Sequence, residues 1–216
     1  MYKFQTLNEF VAVGFSKQLF INRLNNESPH VWDKSLVDND NFNRGATSKR
    51  NEFKKYLKAN LHLIQGNYCI YCGSKFRSKS DAQREHILPK ETYPEFSFEV
   101  KNLVLACARC NGFEFKYTND FLIGNRNRVY EDNEIEIIHP YLDDISEHLD
   151  TSKAIITIVN NSSKGIKTRD FFKLNNENLQ KERGAYINLK RENLVEIANN
   201  NLLIDILQGN YHYESE

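Results

Sequence analysis

The segment CIYC at residues 69–72 has a counterpart in CARC at residues 107–110, with 34 residues between the two. Each CxxC pair can span one edge of a tetrahedron, so a single zinc ion can join both pairs. Disulfides are the competing interpretation, but they require an oxidising compartment, and a thioredoxin-like redox motif needs only one pair. The spacing therefore predicts a structural zinc site that uses all four cysteines of the chain: Cys69, Cys72, Cys107 and Cys110.

Between the two pairs, a short apolar run contains the adjacent residues Glu85 and His86. Adjacent residues of a strand point to opposite faces of the sheet. Both side chains can therefore serve one site only at a strand end or on an irregular turn, and Pro89 soon supplies such an end. A purely structural zinc ribbon has no need of a carboxylate and an imidazole at this place.

The residues around the second CxxC pair predict a strand and a helix. The strand covers the sequence NLVLA at residues 102–106, which leads directly into the second pair. The helix is predicted to run from Ala108 towards Asp120. The order strand, loop, strand, helix, joined by zinc, describes a compact ββα unit.

The segment from residue 67 to about residue 120 resembles the HNH endonuclease family, whose ββα-metal finger has these features in the same order. The resemblance implies an endonuclease that hydrolyses DNA. It implies that His86 is the general base that activates water, and that Asn102 fixes the loop carrying this histidine. It also implies that Glu85 and Asn111 hold a catalytic divalent metal ion.

The residue types fit this chemistry on physical grounds. A neutral imidazole can accept a proton from water near pH 7. Oxygen ligands such as those of Glu85 and Asn111 suit Mg²⁺ or Mn²⁺, whereas thiolates select zinc. Structural interpretations stay open, with His86 as a packed core histidine, Asn102 as a cap at the start of a strand and Asn111 as the turn residue of a knuckle.

Two positions depart from the pattern of the family. Glu85 stands where the family more often has Asp, and the extra methylene moves the carboxylate farther from the backbone. The helix after Asn111 commonly carries a Lys about three residues later, but here that position is Glu114 and Lys116 follows. Both departures concern the surroundings of the catalytic metal ion.

The fold class is predicted to be α+β, with the zinc-stapled ββα-metal finger between two other regions. Residues 1–66 form a helical N-terminal region, residues 67–120 the finger, and residues 121–216 a mixed, mainly helical C-terminal region. Hydrophobic periodicity and β-branched runs predict the elements of the outer regions. These are helices over 7–25 and 48–65, strands over 135–138 and 154–159, and two or three helices beyond Asn175 that end at Gly209.

The net charge is zero, from 29 basic and 29 acidic residues, but the two signs are segregated along the chain. Residues 49–90 contain ten Lys or Arg against three acidic residues, and residues 164–191 contain eight against three. Residues 131–150 contain eight acidic residues and no Lys or Arg. The two basic segments are candidate contact surfaces for the DNA backbone, with solvated helix faces as the alternative.

A narrower resemblance concerns the HNH subunits of Septu and retron antiphage systems. It rests on the EHxxPK form at residues 85–90, on PYLDD at residues 140–144, and on Leu174-Asn175 before a helix containing Arg183. The resemblance implies a partner ATPase. It also implies that the C-terminal region, with the acidic stretch 131–150, is a docking platform for that partner.

Two other classes of function compete with the nuclease. One is a non-catalytic zinc-ribbon module that binds DNA, and the other is an interaction protein with a structural finger. No stretch reaches about 18 consecutive apolar residues, which argues against a membrane span. The first residues lack the pattern of a secretory signal, so a cytoplasmic location is predicted.

Overall fold

The computed structural model describes residues 3–7, 29–33, 46–112, 115–116 and 119–207 of the chain. They form a mixed α+β fold. The helices are α1 (Ala46–Gln65), α2 (Ala108–Asn111), α3 (Ser163–Phe171) and α4 (Glu177–Leu207). The strands are β1 (Gln83–His86), β2 (Leu103–Ala106), β3 (Leu122–Ile123), β4 (Glu134–Ile135), β5 (Leu149–Asp150) and β6 (Thr157–Ile158).

Helix α1 confirms the prediction for residues 48–65. Its apolar face buries Phe53, Leu57 and Leu61, which recur at the helical spacing of four residues. Gly66 follows the last turn with a φ of +70°, a left-handed conformation that glycine adopts without a steric penalty. The helix therefore ends where its sequence predicts.

Helix α1 is joined to strand β2 by the side chain of its last residue, Gln65. Its amide nitrogen donates to the carbonyl oxygen of Leu105 at 2.6 Å, and its amide oxygen accepts from the Leu105 N–H at 3.0 Å. Gln65 is fully buried and pairs with β2 as a neighbouring strand would. This contact fixes the helix against the hairpin that contains the candidate site.

Strands β1 and β2 form an antiparallel pair in which Gln83 faces Ala106 and His86 faces Leu103. All four residues of β2 are fully buried, because α1 covers one side of the pair. The predicted strand 102–106 is thus confirmed from residue 103 onwards. Asn102 itself is the last residue of a short 3-10 helix that precedes β2.

The prediction of a helix from Ala108 to Asp120 was wrong, because α2 ends at Asn111. Gly112 has an extended backbone, and a Cβ atom there would lie 2.5 Å from the carbonyl oxygen of Ala108. The chain turns inward instead, so that Phe115 and Lys116 are both buried. Tertiary packing of these two side chains overrides the helical preference of the segment.

The elements of the C-terminal region also differ from their predictions. The predicted strands 135–138 and 154–159 are reduced to the two-residue strands β4 and β6. One continuous helix, α4, replaces the two or three helices predicted beyond Asn175, and residues 208–209 lie outside the described part of the chain. Helix α3 was not predicted, although Ser162 caps it by accepting from the N–H of Gly165.

The predicted N-terminal helix 7–25 lies outside the described residues except for Leu7, which is not helical. Leu7 is buried, and its N–H donates to the carbonyl oxygen of Pro140. One continuous hydrophobic core extends from Leu7 to Leu179. Within it the rings of Tyr71 and Phe172 stack at 4.3 Å, which joins the first CxxC segment to the C-terminal region. Among the described helices, none is both long and apolar enough to cross a membrane.

Candidate functional site

The four cysteines form one compact cluster, as their spacing predicts. Their sulfur atoms all lie within 4.8 Å of one another, and the sulfurs of Cys72 and Cys107 are 3.9 Å apart. A tetrahedral zinc ion with Zn–S bonds of about 2.3 Å requires sulfur separations of about 3.8 Å. All four thiols are free in this structure, and their gathering into one cluster favours a shared metal ion over disulfides. The cluster therefore fits one tetrahedrally bound metal ion.

Backbone turns and nearby polar groups complete the cysteine cluster. The N–H of Gly73 donates to the carbonyl oxygen of Cys69 at 2.9 Å, and the N–H of Asn111 donates to that of Cys107 at 3.0 Å. Each turn brings the two sulfurs of its pair together. A guanidinium nitrogen of Arg109 lies 3.9 Å from the sulfur of Cys110 and supplies positive charge beside the thiolates.

His86 is the last residue of β1, which is the strand-end position that the sequence argument requires. Its Nε2 atom lies 2.9 Å from the carbonyl oxygen of Ser97. Because a carbonyl oxygen only accepts hydrogen bonds, Nε2 holds the proton of the neutral ring and Nδ1 is left as the basic nitrogen. The ring of Trp32 packs edge-on against the imidazole at 4.6 Å.

The burial of His86 determines its charge. The side chain is 7% exposed, and burial lowers the pKa of His86 to about 3 although its bond to Ser97 opposes the shift. A lowered pKa favours the neutral form of a histidine, so the imidazole is uncharged at neutral pH. It is therefore in the protonation state that a proton acceptor needs.

The charged partner of Glu85 is Lys116. The ammonium nitrogen of Lys116 lies 3.6 Å from Oε1 of Glu85 and donates to the carbonyl oxygen of Asn119 at 2.9 Å. Burial raises the pKa of Glu85 to about 7 against the opposing charge of Lys116. Among the described residues, Oε1 accepts no hydrogen bond. An unsatisfied buried carboxylate oxygen is a suitable ligand atom for a hard cation.

Asn111, at the end of α2, lies on the same side of β1 as Glu85. Its amide nitrogen donates to the side-chain oxygen of Gln83 at 2.8 Å. Gln83 and Glu85 are two residues apart in the strand and share a face. The structure thus places Asn111 against Gln83, two residues before Glu85, and His86 at the end of the same strand.

Asn102 is fully buried and holds the loop between His86 and Ser97 at two points. Its side-chain oxygen accepts from the N–H of Leu88 at 2.7 Å. Its amide nitrogen donates to the carbonyl oxygens of Leu88 at 3.1 Å and Phe96 at 3.0 Å. Leu88 is two residues from His86 in the chain, and Phe96 directly precedes Ser97, whose carbonyl oxygen orients the imidazole. Asn102 therefore determines the geometry of that contact.

Two aromatic side chains of the C-terminal region extend this network. The hydroxyl of Tyr130 donates to the side-chain oxygen of Asn102 at 3.1 Å and lies 3.0 Å from Nε2 of His139. The backbone N–H of Tyr141 donates to Nδ1 of His139 at 3.2 Å, so Nε2 holds the proton and donates to Tyr130. Burial lowers the pKa of His139 to about 3, and the ring is neutral.

Several residues of the site were not found from the sequence. Lys116 was noted only as a lysine that comes later than the family pattern, and Glu114 lies outside the described residues. Ser97 contributes only its backbone carbonyl to the contact with His86, for which no side-chain pattern exists. Tyr130 and His139 reach Asn102 from 28 residues or more along the chain, so no local pattern marks them.

Part of the chain is similar in sequence to known proteins. Residues 69–114 match the HNH endonuclease family. The chain is 31% identical over 97 residues to the Septu protein PtuB of Bacillus thuringiensis, which is 44% of this chain and 33% of the relative. It is 34% identical over 82 residues to protein ea31 of Escherichia phage lambda, which is 38% of this chain and 23% of the relative.

A third relative comes from Vibrio cholerae serotype O1 biovar El Tor and has the name "Retron Vc95 putative HNH endonuclease". The identity is 36% over 61 residues, which is 27% of this chain and 29% of the relative. The chain thus spans a third or less of the length of these relatives. The resemblance to the HNH endonucleases, and within them to the Septu and retron proteins, is confirmed for this part of the chain.

Proposed function

We propose that this chain, whose residues 69–114 form an HNH endonuclease segment, is a metal-dependent endonuclease that hydrolyses DNA phosphodiester bonds. The observation that supports the proposal best is the state of His86. The imidazole stands at the end of β1, and its Nε2 is occupied by the carbonyl oxygen of Ser97. Only Nδ1 is left to accept a proton.

The proposed reaction assigns one step to each polar group. Nδ1 of His86 takes a proton from water, the water oxygen attacks phosphorus, and the bond from phosphorus to the leaving oxygen breaks. Asn102 holds the loop so that the imidazole keeps its orientation. Glu85 and Asn111 would hold Mg²⁺ or Mn²⁺, which would supply positive charge to stabilise the leaving oxygen.

The second metal site has a structural role in this proposal. Zinc bound by the four cysteines holds the two CxxC segments together and so fixes the ends of the hairpin β1–β2. Since thiolates prefer zinc and oxygen ligands prefer Mg²⁺, each ion is directed to its own site by the softness of the ligands.

The context of the proposed nuclease follows from the resemblance to the Septu and retron proteins. We place it in bacterial antiphage defence, in the cytoplasm, with an ATPase as partner. The names of two relatives refer to Septu and retron systems. In this view residues 1–66, 67–120 and 121–216 are the N-terminal region, the nuclease finger and the region that docks the partner.

Nicking of supercoiled plasmid by the purified protein tests the proposal. We expect nicked product with Mg²⁺ or Mn²⁺ and none with EDTA, because the catalytic ion is removed by the chelator. DNA binding measured in the same EDTA buffer is the companion experiment. Binding without nicking under any divalent metal would support the non-catalytic zinc-ribbon module instead.

Replacement of Asn102 by alanine is expected to impair cleavage through geometry. It leaves the N–H and the carbonyl oxygen of Leu88 without partners, each at a cost of roughly 1–3 kcal/mol, and frees the loop that carries His86. A displacement of about 1 Å in an active site can lower the rate about 100-fold. We therefore expect a large loss of nicking with nearly unchanged DNA affinity in a gel-shift assay.

Asn175 offers a matched control for this variant. Like Asn102 with Leu88, its side chain makes two hydrogen bonds to the backbone of one residue. It accepts from the N–H of Ile156 at 2.8 Å and donates to the carbonyl oxygen of Ile156 at 2.7 Å. Asn175→Ala should lower the melting temperature but retain specific activity of the folded protein. Equal loss of activity in both variants would show that Asn102 acts only on stability.

A further inference from the structure

We infer that a basic groove along helix α1 binds the phosphate backbone of DNA and leads it to His86. The inference rests on the proposed nuclease function and specifies the surface that the substrate occupies. The groove has a volume of about 910 Å³ and lies between the outer face of α1, strand β1 and the loop after the first CxxC pair. Its cationic lining consists of Lys54, Lys55, Lys58, Lys79 and Arg84.

The basic groove contains no compensating negative charge. None of its lining residues is acidic, and within the described part of the chain none of its five cations forms an ion pair. Cations elsewhere on the surface do find partners, as Lys101 does with Glu131 at 2.6 Å and Lys167 with Glu136 at 2.8 Å. A concentrated, unpaired positive field of this kind attracts a polyanion.

The cations of the groove destabilise one another's charged forms. Burial lowers the pKa of Lys54 to about 8, and the positive charge of Arg84 adds to the effect. Burial and Arg84 lower the pKa of Lys58 in the same direction. Asp33 is the acidic residue that opposes the shift at Lys54, and it already pairs with Lys90 at 2.8 Å. Phosphate groups would supply the missing negative charge.

The position of the groove favours nucleic acid over an acidic protein as the occupant. Arg84 and His86 are two residues apart in β1 and share a face of the strand. The ammonium nitrogen of Lys54 lies 4.6 Å from the centre of the Trp32 ring, and the same ring packs against the imidazole of His86 at 4.6 Å. One indole therefore contacts both a cation of the groove and the candidate base, so a single DNA strand can reach both.

The test uses Lys58→Glu together with Lys79→Glu. These changes reverse one charge on α1 and one on the loop after the first CxxC pair, the two sides of the groove. Binding of the full chain to a short DNA duplex is measured by fluorescence anisotropy in EDTA, where no cleavage occurs. We expect affinity to fall roughly tenfold and the slope of log affinity against log salt to decrease by about 2, close to one for each lost phosphate contact. The pair Lys58→Gln and Lys79→Gln should give a smaller loss in the same direction.

The matched control is Arg128→Glu together with Lys153→Glu, which makes the same change in net charge at exposed positions outside the groove and outside both basic segments. It should bind DNA nearly as the unmodified chain does. Equal losses in the two double variants, or unchanged binding in the groove variant with an unchanged melting temperature, would overturn the inference. If only the groove variant loses DNA binding, and the unmodified chain does not nick plasmid, then the inference about the groove is supported and the nuclease proposal fails.

Discussion

His86→Ala is expected to lower plasmid nicking by about 10²–10⁴-fold, the usual cost of losing a general base, with DNA affinity retained. The variant removes the proton acceptor but leaves the cysteine cluster and the basic groove intact. The measurement is a nicking time course beside a gel shift and a thermal melt. Full nuclease activity in a folded His86→Ala protein would exclude His86 as the base.

The packing of His86 requires a second variant. Alanine removes a ring that packs against Trp32, and large-to-small changes in buried positions typically cost about 2–5 kcal/mol of stability. His86→Gln keeps most of the volume, and its amide N–H can still donate to Ser97. If His86 is only a packed core histidine, the glutamine variant should regain both stability and activity. If it is the base, stability returns without activity.

Glu85→Ala separates the metal ligand from the base. It removes the carboxylate that faces Lys116 and weakens the proposed site for Mg²⁺ or Mn²⁺. Higher concentrations of either ion should restore part of the activity of Glu85→Ala, because mass action compensates for a weaker site. No metal concentration should restore His86→Ala. Identical behaviour of the two variants would contradict the separate roles.

Cys107→Ser is expected to abolish the folded state. Structural zinc contributes about 10–16 kcal/mol in zinc-finger peptides, as much as the whole stability of a typical domain, which is about 5–15 kcal/mol. The variant should be poorly soluble and depleted of zinc, as measured by elemental analysis and circular dichroism. The unmodified chain should contain one zinc ion per molecule.

Ser74→Ala is the control for the cysteine variant. The hydroxyl of Ser74 lies 3.4 Å from the sulfur of Cys72, beside the cluster but outside the set of four sulfurs. This variant should keep one zinc ion and a nearly unchanged melting temperature. A native protein without zinc, or a soluble and fully folded Cys107→Ser, would contradict a structural metal site.

Local patterns were sufficient to predict the parts of the molecule whose physical cause is itself local. The two CxxC pairs predicted the cysteine cluster, because each turn brings its own two sulfurs together. The periodicity of residues 48–65 predicted α1, and Gly66 predicted its end. The dipeptide Glu85-His86 before Pro89 predicted a strand end, which is where the structure has His86.

The sequence by itself therefore determined the cysteine cluster, helix α1 and the residue types of the candidate site. Only the tertiary structure decided that α2 ends at Asn111 and that Lys116 faces Glu85. It alone connected Tyr130 and His139 to Asn102. These features depend on contacts between residues far apart in the chain, where burial and hydrogen-bond satisfaction outweigh local propensity, and a local pattern contains no information about such contacts.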